Sequence, residues 1–255
     1  MKSKALKVLL LIMTISIFVI MAVGSSSSDD SAKEGTNPSE NSTNQGQNTN
    51  DASKEIVEYS VGETVVTVWT SSIGTNWIKV GIPVTNTGNV NLYLESSSVD
   101  IENADGSLAA TLSLVSVYPQ IIKPGETAYY FEETTYDGTQ TEGLKVIPHV
   151  KAEKAKVELI RLDVSDLQIK DDEFFGPKVM GRVENTSDKE ESMVYVIANF
   201  FDKDGKFIGQ QFDILTDKLP AGDKIGFETS SLSSQLSASD IATYDVIAFP
   251  YQYQW

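Results

Sequence analysis

The chain has 255 residues, no cysteine, one histidine and a formal net charge of -16. Those counts exclude disulfides, thiol catalysis and thiolate metal sites, and leave a single imidazole, His149, for any histidine-based chemistry. They also exclude a nucleic-acid binder, which needs a basic face that no Lys/Arg cluster here supplies.

The N-terminus reads as a targeting segment. Lys2, Lys4 and Lys7 precede an apolar run from Val8 to Val23, and Ala22-Val23-Gly24 ends it with small residues where a signal peptidase cuts. About 16 helical residues span roughly 24 Å, short of a hydrocarbon core of about 30 Å. A cleaved signal peptide is favoured over an N-terminal membrane anchor across residues 1–24. The leading lysines place the rest of the chain outside the cell in both cases. Loss of 1–24 removes three lysines and no acid, taking the charge from -16 to -19. The stretch GSSSSDD (Gly24–Asp30) is similar to the start of a mature lipoprotein, but no cysteine is present to be acylated.

Residues 25–54 are rich in Ser, Asn and Thr and nearly devoid of apolar side chains, which predicts a disordered linker. As a flexible coil it reaches roughly 30 Å. Asn41-Ser42-Thr43 and Asn185-Thr186-Ser187 match the N-glycosylation pattern and are read as chance matches.

An internal repeat follows. KVGIPVTNTG (Lys79–Gly88) aligns with KVMGRVENTS (Lys178–Ser187) at an offset of 99, which also relates Asp105-Gly106 to Asp204-Gly205. Val57-Glu58 matches Val157-Glu158, and KPGETAYYFE (Lys123–Glu132) matches LPAGDKIGFE (Leu219–Glu228). Two modules are expected, 55–152 and 153–255.

Each reads as β. The first is expected to form strands at TVVTVW, WIKVGIPV, NLYLESSSVDI, TAYYFE and LKVIPHV. The second is expected to form them at VELIRLDV (Val157–Val164), KVMGRVEN, MVYVIANFF (Met193–Phe201), KFIGQQFD, KIGFE and YDVIAFP. Turn residues recur between them, and SLSSQLSAS (Ser231–Ser239) reads as one short helix. The expected fold class is all-β: two tandem immunoglobulin-like β-sandwich modules after an N-terminal apolar helix and a disordered linker.

NFFDKDGKFIGQQFD (Asn199–Asp213) has the look of a calcium loop. With Gly205 as the loop glycine, the first and twelfth ligand positions fall on Phe200 and Gln211, which carry no carboxylate. A hairpin turn through Asp202-Lys203-Asp204-Gly205 is expected instead, with glycine at positive φ. His149 is expected on a strand at the joint between modules, not in a triad, since no nucleophile elbow accompanies it. The acids Asp163, Asp166, Asp171, Asp172 and Glu173 are read as a solvated loop, and as the best place for weak calcium binding. Trp69, Trp77, Trp255, Tyr251 and Tyr253 read as core aromatics or as a contact surface.

At GRVENTSDKEESMVYVIANFFDKDGKFIG (Gly181–Gly209) the second module resembles the FxLYD-type extracytoplasmic module of Gram-positive bacteria, through Gly181, Val183, Asn185, Thr186, Phe200, Phe201 and Asp202; Ala198 departs from the pattern. The first module is more distantly similar through VTNTGN. The resemblance implies a small β-sandwich on a secreted or membrane-tethered protein, with no catalytic residues to carry over. The expected function is a non-enzymatic binding or spacing module at the bacterial cell surface. The alternative is a surface cation- or glycan-binding protein using acidic loops or the aromatic C-terminal end. The expected partner is an unknown surface protein or envelope component, with no cofactor, no bound metal and membrane contact only through the N-terminal segment.

Overall fold

The computed structural model describes residues 54–172, 176–230 and 236–251. The expected N-terminal helix, nearly all of the expected linker, Glu173, Tyr253 and Trp255 lie outside the described residues. Ala52–Trp255 forms one compact unit.

Ten strands occupy its first half: β1 (Tyr59–Val61), β2 (Val65–Thr70), β3 (Asn76–Asn86), β4 (Leu92–Leu94), β5 (Ser97–Glu102), β6 (Leu108–Tyr118), β7 (Ile121–Ile122), β8 (Thr127–Thr135), β9 (Lys145–Pro148) and β10 (Ala152–Lys154). Six follow: β11 (Asp163–Asp172), β12 (Gly176–Glu184), β13 (Val194–Phe201), β14 (Phe207–Leu215), β15 (Lys224–Glu228) and β16 (Thr243–Pro250). All described pairing is antiparallel, and none of it crosses between β1–β10 and β11–β16.

The two halves are wired alike. β2-β3-β8 in the first matches β11-β12-β15 in the second, and β6-β5-β9 matches β14-β13-β16. The short β4-β7 pair is echoed by a single bridge between Glu191 and Leu219. One difference is that β6 also pairs with β8, joining the first half's two sheets along one edge.

The period-two alternation of side chains builds a core in each half. Ile78, Val80, Ile82 and Val84 of β3 meet Ala128 and Tyr130 of β8, Val99 and Ile101 of β5, and Leu112 of β6. In the second half Val179, Val183 and Phe227 meet Val194, Val196, Ala198 and Phe200 of β13 and Ala248 of β16.

The repeat extends to individual hydrogen bonds. Asn86 Nδ2 donates to the carbonyls of Val90 (2.8 Å) and Ile122 (3.1 Å), and its Oδ1 accepts from Gly88 N–H (3.0 Å). Asn185 Nδ2 donates to Lys189 (2.8 Å) and Leu219 (2.7 Å), and its Oδ1 accepts from Ser187 N–H (3.0 Å). The main-chain carbonyls of these two asparagines accept from Gly125 and Gly222, which sit at φ +81 and +80. Each asparagine thus ties the end of one strand to the turn before the sheet's last strand. Both are fully buried, which also places Asn185 out of reach of glycosylation.

Several sequence expectations are corrected. The strand expected at Val157–Val164 begins only at Asp163, and the acidic stretch read as a loop is mostly that strand, β11. NLYLESSSVDI breaks into β4 and β5, and the expected helix at Ser231–Ser239 is represented, among the described residues, by a single 3-10 turn at Ala238–Asp240. β6 was not anticipated, because its interleaved Ser and Thr resemble linker composition.

Candidate functional site

The feature that distinguishes this molecule from two sandwiches on a string is the joint between them. β3 and β8 are covered on both faces. Their second face presents Lys79, Gly81, Tyr129, Phe131 and Glu133, the residues that alternate with the first core. Opposite lie Ile197, Asn199 and Phe201 of β13, Phe207 of β14, and Asp245, Ile247 and Phe249 of β16.

Phe207 is the keystone. Its ring stacks on Tyr129 at 4.4 Å and meets Phe131 and Phe201 edge-on, each at 6.2 Å. Gly81 lies directly beneath it: a Cβ there would sit 2.7 Å from the ring, so only glycine lets the sheets approach. Further along, Tyr118 meets Tyr195 (5.7 Å) and Phe249 (6.4 Å), beside buried Ile121, Leu159 and Ile197. Edge-on and offset ring pairs of this kind add roughly 1 kcal/mol each beyond the area they bury.

The joint also holds charge. Lys79 and Glu133 face each other across β3 and β8, and Lys79 is 6% exposed. Burial pushes Lys79 down from the ordinary lysine value and Glu133 up from the ordinary glutamate value; each partner's charge partly offsets this, and Asp240 further supports the Lys79 cation. Glu133 Oε1 is buried without a hydrogen-bond partner. Burial likewise raises Asp245, against a hydrogen bond from Asn199, while Asn199 Oδ1 accepts from Gln210 Nε2 at 2.7 Å. Tyr118 and Tyr129 are each pushed up to about 12, mainly by burial.

At one end of the joint, Tyr93, Tyr118, Gln120, Tyr195, Phe249 and Tyr251 line a small recess of about 20 Å³, room for roughly one water molecule. Tyr251 belongs here, against Tyr195 at 5.7 Å. Trp69 and Trp77 are elsewhere, stacked across β2 and β3 at 6.2 Å.

The other candidates resolve as follows. His149 lies just past β9 on the surface, with Nε2 2.8 Å from Asp100 Oδ2. The Asp100 carboxylate also accepts from Thr111 Oγ1 (2.7 Å), and these two hydrogen bonds, Thr111 first, hold it below the usual aspartate value. The nearby Ser97 hydroxyl donates to the main-chain carbonyl of His149, not to its ring. A triad needs the hydroxyl on the imidazole. The DKDG stretch is a hairpin turn. Asp202 Oδ1 accepts from the N–H groups of Asp204 and Lys206, both at 2.9 Å, and Gly205 adopts φ +77. Asp202, not Asp204, is therefore the residue that organises it. The first half repeats the turn at Asn103–Ser107, with Gly106 at φ +85. Gly205→Val forces a β-branched residue into left-handed backbone and is expected to cost more than about 1 kcal/mol in chemical denaturation. An unchanged midpoint would remove the turn from this account.

Among the described residues no three acids or histidines converge as a metal site would require. Asp166 faces Arg182 at 3.6 Å, and Asp171 accepts from the Ala238 N–H.

Glu132 sits partly buried on the inner side of β8 and is pushed up to about 7, first by burial and then by Glu133. The fold therefore favours its protonated form. That contribution is complete below the ordinary glutamate value of 4.5 and is lost as pH rises through about 7. Glu132→Gln is expected to raise stability at about pH 8 by roughly 1–2 kcal/mol, discounted for partial exposure, and to flatten the slope of melting temperature between about pH 5 and pH 8. A slope equal to the parent's would show that Glu132 does not produce it.

The joint was not anticipated from the sequence, though a signal existed. MVYVIANFF is nearly continuous in apolar residues, as a strand covered on both faces should be. No protein-family model matches the chain, and no curated protein is similar enough to stand as a relative.

Proposed function

We propose that the chain is a non-enzymatic, extracytoplasmic protein of the bacterial cell surface. It is built as two immunoglobulin-like modules, the second of FxLYD type, and works as a binding or spacing device that is released when residues 1–24 are cleaved, or held off the membrane by residues 1–54 when they stay as an anchor. The observation that carries this reading is the aromatic joint around Phe207. A sheet-on-sheet contact of this kind makes two small sandwiches into one stiff body, which suits holding a surface at a distance. The duplicated asparagine ties support the division into two modules.

Export is the part to test first. Cells expressing the full chain are treated with protease while intact. The reading expects the chain to be degraded while a cytoplasmic marker survives. Protection equal to the marker's, reversed only by lysis, would overturn it.

One observation favours the second reading, a glycan- or cation-binding protein: the exposed aromatic cluster in which Tyr251 lies against Tyr195. Calorimetric titration with calcium and with cell-wall glycan fragments separates it from a plain spacer, for which no saturable heat is expected.

A further inference from the structure

The two halves carry equivalent outer strands that are defended differently. β11 is the edge of its sheet, paired only with β12, and β2 is paired only with β3; among the described residues no strand pairs with the other side of either. The registers of β3 and β12 are related by 99 residues, so their partners can be matched. Lys79 and Lys178 face Thr67 and Lys170; Ile78 and Pro177 face Val68 and Asp171. β1 continues the equivalence, since Val61 and Val164 face Val84 and Val183.

At these matched places β11 has what a sheet edge needs to refuse a further strand. Opposite the places of β2 it carries Lys170 and Asp171, while its bulge, at which Asp166 takes φ +55, falls where the first half breaks between β1 and β2 at residues 62–64. β2 has none of this. Its sequence is VVTVWT, without charge, proline or bulge, and five of its six residues are β-branched. Ile73, in the hairpin that follows, is 86% exposed.

The direction of its free backbone groups follows from the hairpin. Ser71 N–H donates to the Thr75 carbonyl at 2.8 Å. In an antiparallel ladder hydrogen-bonded pairs alternate, so the pairs through Trp69 and Thr67 bond to β3. Val66, Val68 and Thr70 then point their N–H and C=O groups outward.

We propose that β2 is a strand-addition site, on which an extended, non-acidic segment of another protein pairs antiparallel through Val66, Val68 and Thr70. Outward backbone groups in register select an extended chain, and the uncharged β-branched strand favours alternating Thr/Val-type sequence. Charge selects against a second copy as the occupant, because each chain carries -16. A neutral or lysine-bearing segment meets no such repulsion. The inference rests on the binding half of the proposed function and names its surface.

The test uses the full chain and a synthetic peptide alternating threonine and valine between terminal lysines. The expected result is saturable binding in fluorescence anisotropy, with added hydrogen-exchange protection at Val66, Val68 and Thr70. A peptide with proline at alternate positions should not bind. Thr67→Lys, which copies Lys170 at an exposed position, should weaken binding by at least about tenfold with the fold intact by circular dichroism. Binding that survives both changes, or protection that appears along β11 instead, overturns the proposal. So does a β2-to-β2 dimer in sedimentation, which would make a second copy the occupant. Absence of binding also overturns it, while leaving the export result and the spacer reading untouched.

Discussion

Replacing Asn185 by alanine is expected to destabilise the chain by about 4 kcal/mol, and to lower its melting temperature by on the order of 10 °C. The amide is fully buried and makes two donor bonds, to Lys189 and Leu219. Its Oδ1 accepts from both the N–H and the hydroxyl of Ser187. Truncation removes all four interactions, while the Leu219 carbonyl keeps the Glu191 N–H at 2.9 Å. Each lost bond is worth about 1 kcal/mol, which sets the size of the effect. Asn185→Asp should be no better, since it keeps the acceptor, loses the donors and buries a charge. Asn86→Ala should cost slightly less, because it makes the same two donor bonds and accepts one N–H, without the hydroxyl bond. The duplication also identifies what is dispensable. Gly88 occupies the place of Ser187, so the first half does without the hydroxyl, and Ser187→Ala should cost only about 1 kcal/mol. Thermal and guanidinium melts read all four variants. A loss under about 1 kcal/mol for Asn185→Ala would mean that the tie is not structural.

Phe207→Ala is the second large effect, at about 3–5 kcal/mol. Phe207 is 4% exposed and touches three rings: Tyr129 and Phe131, both of β8, and Phe201 of its own hairpin partner, β13. The loss should fall on the coupling between halves, not on either core, because neither core includes it. Calorimetry should accordingly resolve one cooperative transition in the parent and two in the variant. Gly81→Val should do the same from the opposite side, since its side chain would enter the space that the ring fills. A single transition shifted as a whole in both variants would show that the joint is not the seam.

What was legible in the sequence was local and periodic. The apolar runs VYVIANFF and WIKVGIPV placed β13 and β3, and the matched VTNTG and VENTS aligned Asn86 with Asn185 at equivalent strand ends. Asp-Gly marked both hairpins, although the carboxylate that organises the second proved to be Asp202. What was not legible depended on contacts between distant segments. Phe200 and Phe201 look equivalent in the sequence, yet Phe200 enters the second core and Phe201 the joint, as the alternation of a strand covered on both faces requires. Lys79 reads as a solvent-facing interruption of an apolar run, and becomes a buried cation only because a second sheet covers it. The acids of β11 looked like a loop because charge was read as solvation. In an edge strand the same charges face water from one side of a ladder.

The central claim is that β11–β16 close their own interior and form a module that the joint merely fastens to the first. Residues 156–255 produced alone, followed by circular dichroism and calorimetry, test this most directly. The account predicts a β-sheet spectrum and a cooperative melt, weaker than the full chain's by the lost joint. An isolated second half that shows neither, while the same residues fold within the full chain, would contradict it.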